Sequence, residues 1–114
     1  MRWNLLLEYD FQFKKGILFI RLKGSINKIS SKLIVEEIDP LILDNGIKKI
    51  VFNFYGVNDI DNYGVNVFLE SYEMLKNQSD VVLCSIPSKI HKKVENLLKI
   101  ITEREDEFTI LEKN

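Results

Sequence analysis

Short apolar runs in this chain alternate with amphipathic stretches, and that alternation predicts the order of its elements. Ile17 to Leu22 (ILFIRL) is bounded by Lys15-Gly16 and by Gly24, which predicts a strand between turns. The segment before it, Leu5 to Phe13, alternates less cleanly and predicts an edge strand or hairpin partner. Leu33, Ile34, Val35 and Ile38 predict the buried side of a helix, with Ser30 and Ser31 as candidate N-caps. Pro40 interrupts that pattern. A kink is expected there, or a restart with Asp39 as cap and Pro40 in the first position. Asn45-Gly46 closes the unit, glycine being suited to the left-handed conformation past a helix end.

Ile50 to Tyr55 (IVFNFY) is β-branched or aromatic almost throughout, which predicts a central strand covered on both faces. A loop is expected over Gly56 to Asp61. Beyond it Val65, Phe68, Leu69, Tyr72 and Leu75 follow the i, i+3, i+4, i+7 spacing of a helix with one core face. Val81 to Ile86 (VVLCSI) predicts a further buried strand. Ser88 then caps a third helix with Ile90, Val94, Leu97, Leu98 and Ile101 inward, and Phe108 to Leu111 (FTIL) predicts a closing strand. The expected fold is a single α/β domain over 1–114. Its sheet is mixed but mostly parallel, of about four to five strands with about three to four helices. In such folds function gathers at the carboxyl ends of the strands, so the segment Gly56 to Gly64 is the first candidate site.

At that segment the chain resembles a known family. ILFIRLKGSIN, a helix, GIKKIVFNFYGVNDIDNYGVNVFLESYEMLK and VVLCSIPSKI together resemble a STAS domain over about Gly16 to Leu98. The family includes the anti-sigma factor antagonists of bacterial partner-switching systems. Its members typically read G-E-L-D after the early strand and D-S-S-G-L-G after the central one. Here those places hold Gly24-Ser25-Ile26-Asn27 and Asp61-Asn62-Tyr63-Gly64-Val65-Asn66. The resemblance implies that the first motif serine accepts phosphate from a kinase-type anti-sigma factor. That position is Asn62, which has no hydroxyl; the earlier aspartate is Asn27, the second serine Tyr63 and the second glycine Asn66. Asp61 and Gly64 match.

These residues have ordinary structural uses as well. Asn62 is placed to cap the second helix, as a serine would be, but it cannot gain the charge that phosphate adds at a helix start. The expectation is a domain held in its binding-competent state, or one that has left the phosphorylation cycle. Tyr63 offers an aromatic anchor or packs over the sheet edge. Asp61 favours the helix dipole or meets a partner's donors, and Asn27 settles turn geometry. With Asn27, Asp61, Asn62 and Tyr63, the residues Asn58, Asp59, Gly64 and Asn66 complete the expected partner-binding surface. The alternatives are an accessory subunit on the ATPase of a lipid-transport ABC system, a scaffold component of a stress-sensing assembly or, in a different class, a nucleotide-binding or hydrolysing domain.

Composition narrows the field. Lys plus Arg number 16 and Asp plus Glu 17, a balance without the basic field that nucleic-acid binding uses. No apolar run approaches the roughly 20 residues that span a bilayer, and no leader pattern opens the chain. A soluble, cytoplasmic domain is expected. Cys84, the one cysteine, lies in an apolar strand and reads as a small hydrophobe rather than a nucleophile. His91, the one histidine, is expected at the surface, with Glu95 at helical spacing. One His and one Cys cannot furnish the usual zinc sets, and Asp59 with Asp61 is at best a weak cation pair. No phosphate-cradling glycine motif is present. No enzyme, metal or cofactor is expected. Trp3, Leu5, Leu6, Leu7 and Tyr9 are unusually apolar for a terminus; they read as an edge strand or as a self-association surface giving a homodimer.

Overall fold

The computed structural model describes residues 6–113. Its first unit is a hairpin: β1 (Leu7–Lys14) pairs antiparallel with β2 (Ile17–Ile26). Lys15 and Gly16 both take positive φ, 53° and 79°. That is the two-residue turn whose twist matches a hairpin. From β2 onward the pairings are parallel, β2 with β3 (Lys49–Ile60), β3 with β4 (Asp80–Cys84) and β4 with β5 (Thr102–Arg104). Among the described residues the sheet is therefore five-stranded, in the order β1-β2-β3-β4-β5. The mixed, mostly parallel α/β architecture is as expected.

Both faces of the sheet are covered. Leu18, Ile20, Leu22, Phe52, Phe54 and Leu83 point to the main core, where they meet Ile34, Ile38, Phe68, Ile90 and Leu97 from the helices. Ile17, Phe19, Val51 and Cys84 face the other way, under Ile110. The helix α2 (Asn62–Leu75) is pinned by Phe68, whose ring centroid lies 5.2 Å from those of both Phe52 and Phe54. Aromatic pairs at such spacing add to simple burial.

Several elements depart from expectation. β3 runs on to Ile60, so Gly56 to Ile60 is strand rather than loop. Val57 and Ile60 are buried while Asn58 and Asp59 face solvent, and register shifts against Lys23 to Ser25 let the strand continue. The helix after β2 starts beyond a turn capped by Asn27, not by Ser30 or Ser31. The Asn27 side-chain oxygen accepts the N–H groups of Ile29 and Ser30, each at 3.0 Å. Pro40 neither breaks that helix nor restarts it from a cap. A wide π turn at Ile34–Ile38, in which the Asp39 N–H donates to the Ile34 carbonyl, passes directly into α1 (Asp39–Asp44). Val35, expected on the buried side, is exposed.

The third helical stretch is also segmented: α3 (Ser88–His91), a 3-10 turn at Lys92–Val94 and α4 (Glu95–Leu98). Pro87, not Ser88, occupies the cap position, and no side chain satisfies the first turn. Phe108 to Leu111 is not a strand. It lies in α5 (Glu107–Glu112), because the Asp106 carboxylate accepts the Thr109 N–H at 2.8 Å and caps a helix. Trp3 and Leu5 lie outside the described residues. Leu7 is fully buried, an edge-strand role.

Candidate functional site

The carboxyl ends of β2 and β3 and the start of α2 meet at one corner of the sheet. The Asp61 N–H donates to the Ile26 carbonyl at 3.1 Å, tying the helix entrance to the end of β2. Asp61 is extended (φ −105°, ψ −177°), and its carboxylate accepts the Gly64 N–H at 3.0 Å. Asp61 is thus the N-cap, and Asn62, expected to be the cap, is the first helical residue. The reason is that Asp and Asn cap equally well, so the backbone conformation decides between neighbours. Asn62 keeps a free, solvent-facing side chain.

Gly64 lets the helix sit this close. A Cβ at that position would lie 2.6 Å from the Ile26 carbonyl oxygen and 2.8 Å from side-chain carbons of Ile26 and Ile60. Beneath, the β2 end is braced from within. Ser30 Oγ donates to the Ser25 carbonyl at 2.6 Å and accepts the Asn27 N–H at 2.9 Å, while Ser25 Oγ donates to Asn58 Oδ1 at 2.8 Å.

What reaches solvent is a neutral-to-mixed rim. Asn58, Asp59, Asp61, Asn62, Tyr63 and Asn66 are all exposed, whereas Asn27 is half-buried and Gly64 buried. The structure brings these residues to one corner but gives Asn27 and Gly64 packing and capping tasks rather than open surface. Tyr63 is 56% exposed, and the Lys28 ammonium stands 5.4 Å from its ring centroid. Between Tyr63 and the exposed Val35 runs a shallow cleft of about 270 Å³, flanked by Lys28, Lys32 and Val67. Periodicity placed Val35 inward, so this apolar wall was missed.

Asp59 does not pair with Asp61 around a cation. Lys93 Nζ donates to Asp59 Oδ1 at 2.5 Å, and that hydrogen bond holds the Asp59 carboxyl below the usual range. Among the described residues no group of three or more His, Cys, Asp or Glu converges as metal ligands do. His91 Nε2 lies 3.4 Å from Glu103 Oε1 on the surface, rather than beside Glu95. Burial pushes the Cys84 thiol up to about 11, which leaves it protonated and inert at neutral pH.

A larger cleft, about 700 Å³, lies on the opposite sheet face near Tyr55 and Phe108. Its floor charge is already spent. Arg21 donates to both Glu107 oxygens at 2.9 and 2.8 Å and to Gln12 at 2.9 Å, and Asn53 Nδ2 donates to Glu107 at 2.6 Å. The Arg21 guanidinium is thus committed to its own neighbours, while Lys23 lines the cleft with its ammonium exposed.

Comparison with known proteins finds relatives across nearly the whole chain. The family model of the STAS domain matches residues 8–103. The anti-sigma F factor antagonist of Paenibacillus polymyxa is 21% identical over 108 residues, 92% of this chain and 92% of that one. The solved structure of the anti-sigma factor antagonist SpoIIAA in its unphosphorylated form is similar at a TM-score of 0.69 and 19% identity, over 92% of this chain and 94% of that chain. An anti-sigma factor antagonist from Mycobacterium paratuberculosis gives 0.73 at 14% identity, over 94% and 92%.

Proposed function

The chain belongs to the STAS domain family, and from that premise we propose that it is a non-catalytic docking domain for a kinase-type anti-sigma factor. The contact is the corner formed by the end of β3 and the start of α2, with Asn58, Asp59, Asn62, Tyr63 and Asn66 facing the partner. The observation that carries this reading is the exposed, neutral first turn of α2. Asp61 supplies the cap, Asn62 is free of structural duty, and Tyr63 stands beside it as a half-exposed aromatic. Aromatic anchors ringed by polar groups are the common core of protein contacts.

The relative from Paenibacillus polymyxa is named for antagonism of an anti-sigma F factor, which supports a partner of that kind. In a relative with serine at this position, phosphate would add a charge of roughly −1.5 to −2 at the helix start and disrupt the contact. Asn62 cannot be modified in that way, so the domain stays in the docking state in its cytoplasmic setting.

The test is to incubate the chain with its kinase-type partner and labelled ATP, then recover the complex. Complex without label on this chain is the expected result. Stoichiometric label on the chain overturns the reading of Asn62, and binding of ATP or GTP by the chain alone in calorimetry supports a nucleotide-binding domain instead.

A further inference from the structure

A second surface lies along the free edge of the sheet at β1, next to β2. β1 is the edge strand, and its outward main chain has no partner among the described residues. Which groups point outward follows from the pairing. The two-residue turn makes Lys14 and Ile17 a narrow, doubly bonded pair. At the other end the Ser25 N–H donates to the Leu6 carbonyl at 2.8 Å, the same parity. Even-numbered residues of β1 therefore bond inward to β2, and Tyr9, Phe11 and Phe13 turn their N–H and C=O groups outward.

Two of the three side chains at those positions are exposed, and Tyr9 is half-buried, its hydroxyl donating to Glu37 at 3.2 Å. Phe11 is 51% and Phe13 60% exposed, and Tyr9 stacks on Phe11 with centroids 6.4 Å apart. They lie on the helix-bearing face, since their partners across β2 are Leu22, Ile20 and Leu18. The described strand has no proline and no bulge against β2, two of the devices that blunt a free edge.

The sequence of β1 is also complementary to itself read backwards. About Phe11 as centre, Tyr9 falls opposite Phe13, Asp10 opposite Gln12 and Glu8 opposite Lys14. We propose that β1 pairs antiparallel with β1 of a second copy about a two-fold axis at Phe11, giving a sheet continuous through two chains. The register suits the backbone, because the pairs it makes narrow are those whose main-chain groups point outward. On one face it builds an aromatic ladder of Tyr9, Phe11 and Phe13 from both copies. On the other it sets Glu8 of each copy against Lys14 of its mate. Opposite charges and aromatic pairs directly across strands are the units that stabilise a sheet.

The test uses the full chain in sedimentation equilibrium from about 10 μM to about 1 mM, the span over which weak contacts populate. A monomer–dimer equilibrium is expected, weakened about tenfold or more by Phe11→Lys. Glu8→Lys and Lys14→Glu each set like charges across the two-fold and are expected to be monomeric alone. Mixed together they restore opposite charges at both ends and form a heterodimer. Circular dichroism of each variant checks that the fold is kept, as exposure of these side chains requires. A parent that stays monomeric throughout, a dimer indifferent to Phe11→Lys, or folded charge variants that fail to associate when mixed overturns the proposal.

Discussion

Neighbouring residues of similar chemistry divide the work at the start of α2. Asp61 holds the cap and Asn62 faces out, though either side chain could cap a helix. Removing the cap by Asp61→Ala is therefore expected to cost about 1 kcal/mol, while Asp61→Asn costs a few tenths at most. Urea unfolding reads both. Asp39 is a different kind of residue. It is 3% exposed, its Oδ2 accepts from Ser71 Oγ at 2.8 Å, and its Oδ1 has no partner. Burial raises its pKa, with the Ser71 bond opposing. A raised acid stabilises the fold only while protonated. That contribution is intact below the ordinary carboxylate value and is lost as pH climbs through the raised one. Asp39→Asn is thus expected to gain on the parent in urea midpoint as pH rises from about 3 to about 7. A constant gap between the two would contradict the assignment.

At the scale of elements, the terminal helix α5 shows how a few polar contacts fix a short element. It has six residues and one buried side chain, Ile110. Glu107 anchors it to β2 and β3 through Arg21 and Asn53. The Arg21 hydrogen bond holds the Glu107 carboxyl below its usual range, against desolvation. The sign is opposite to that of Asp39: this stability is present above the ordinary carboxylate value and lost as pH falls through the lowered one. Since the Arg21 side chain is 40% exposed, Glu107→Gln is expected to cost only about 1 kcal/mol at neutral pH. Its cost should shrink in acid, and thermal unfolding at two pH values measures it.

The elements also explain what the sequence made legible. The strands at Ile17, Ile50 and Val81 and the helix through Phe68 were plain, because burial on one or both faces leaves a period in the apolar residues. β3 beyond Tyr55 was not, since its exposed Asn58 and Asp59 beside Gly56 look like a loop until paired with β2. Pro40 suggested a kink or a restart capped by Asp39, where a π turn instead passes into α1 with Ile38 in the cap position. FTIL reads as a strand on propensity, but the Asp106 cap and the need to cover Ile17 and Phe19 make it helical. At the candidate site the residue types and their meeting place could be read from order along the chain. The division of labour between Asp61 and Asn62, and the exposure of Val35 beside Tyr63, depend on dihedral angles that no pattern encodes.

The whole molecule then presents two surfaces: a polar corner with a half-exposed tyrosine, and an aromatic strand edge beside β2. Nothing in the rest of the described chain assembles acid, base and nucleophile. Cys84 is sealed, His91 sits on the surface near Glu103, and the Arg21 cluster is closed on itself. On the proposed reading the domain acts by what it lets another protein touch, so the quantity to measure is a binding constant. Calorimetric titration of the kinase-type anti-sigma factor with the parent and with Asn62→Asp tests this most directly. The account predicts that the variant folds normally, since an anion suits the first turn of a helix, yet binds about tenfold or more weakly. Equal affinity of the two would place the contact elsewhere and contradict the central claim.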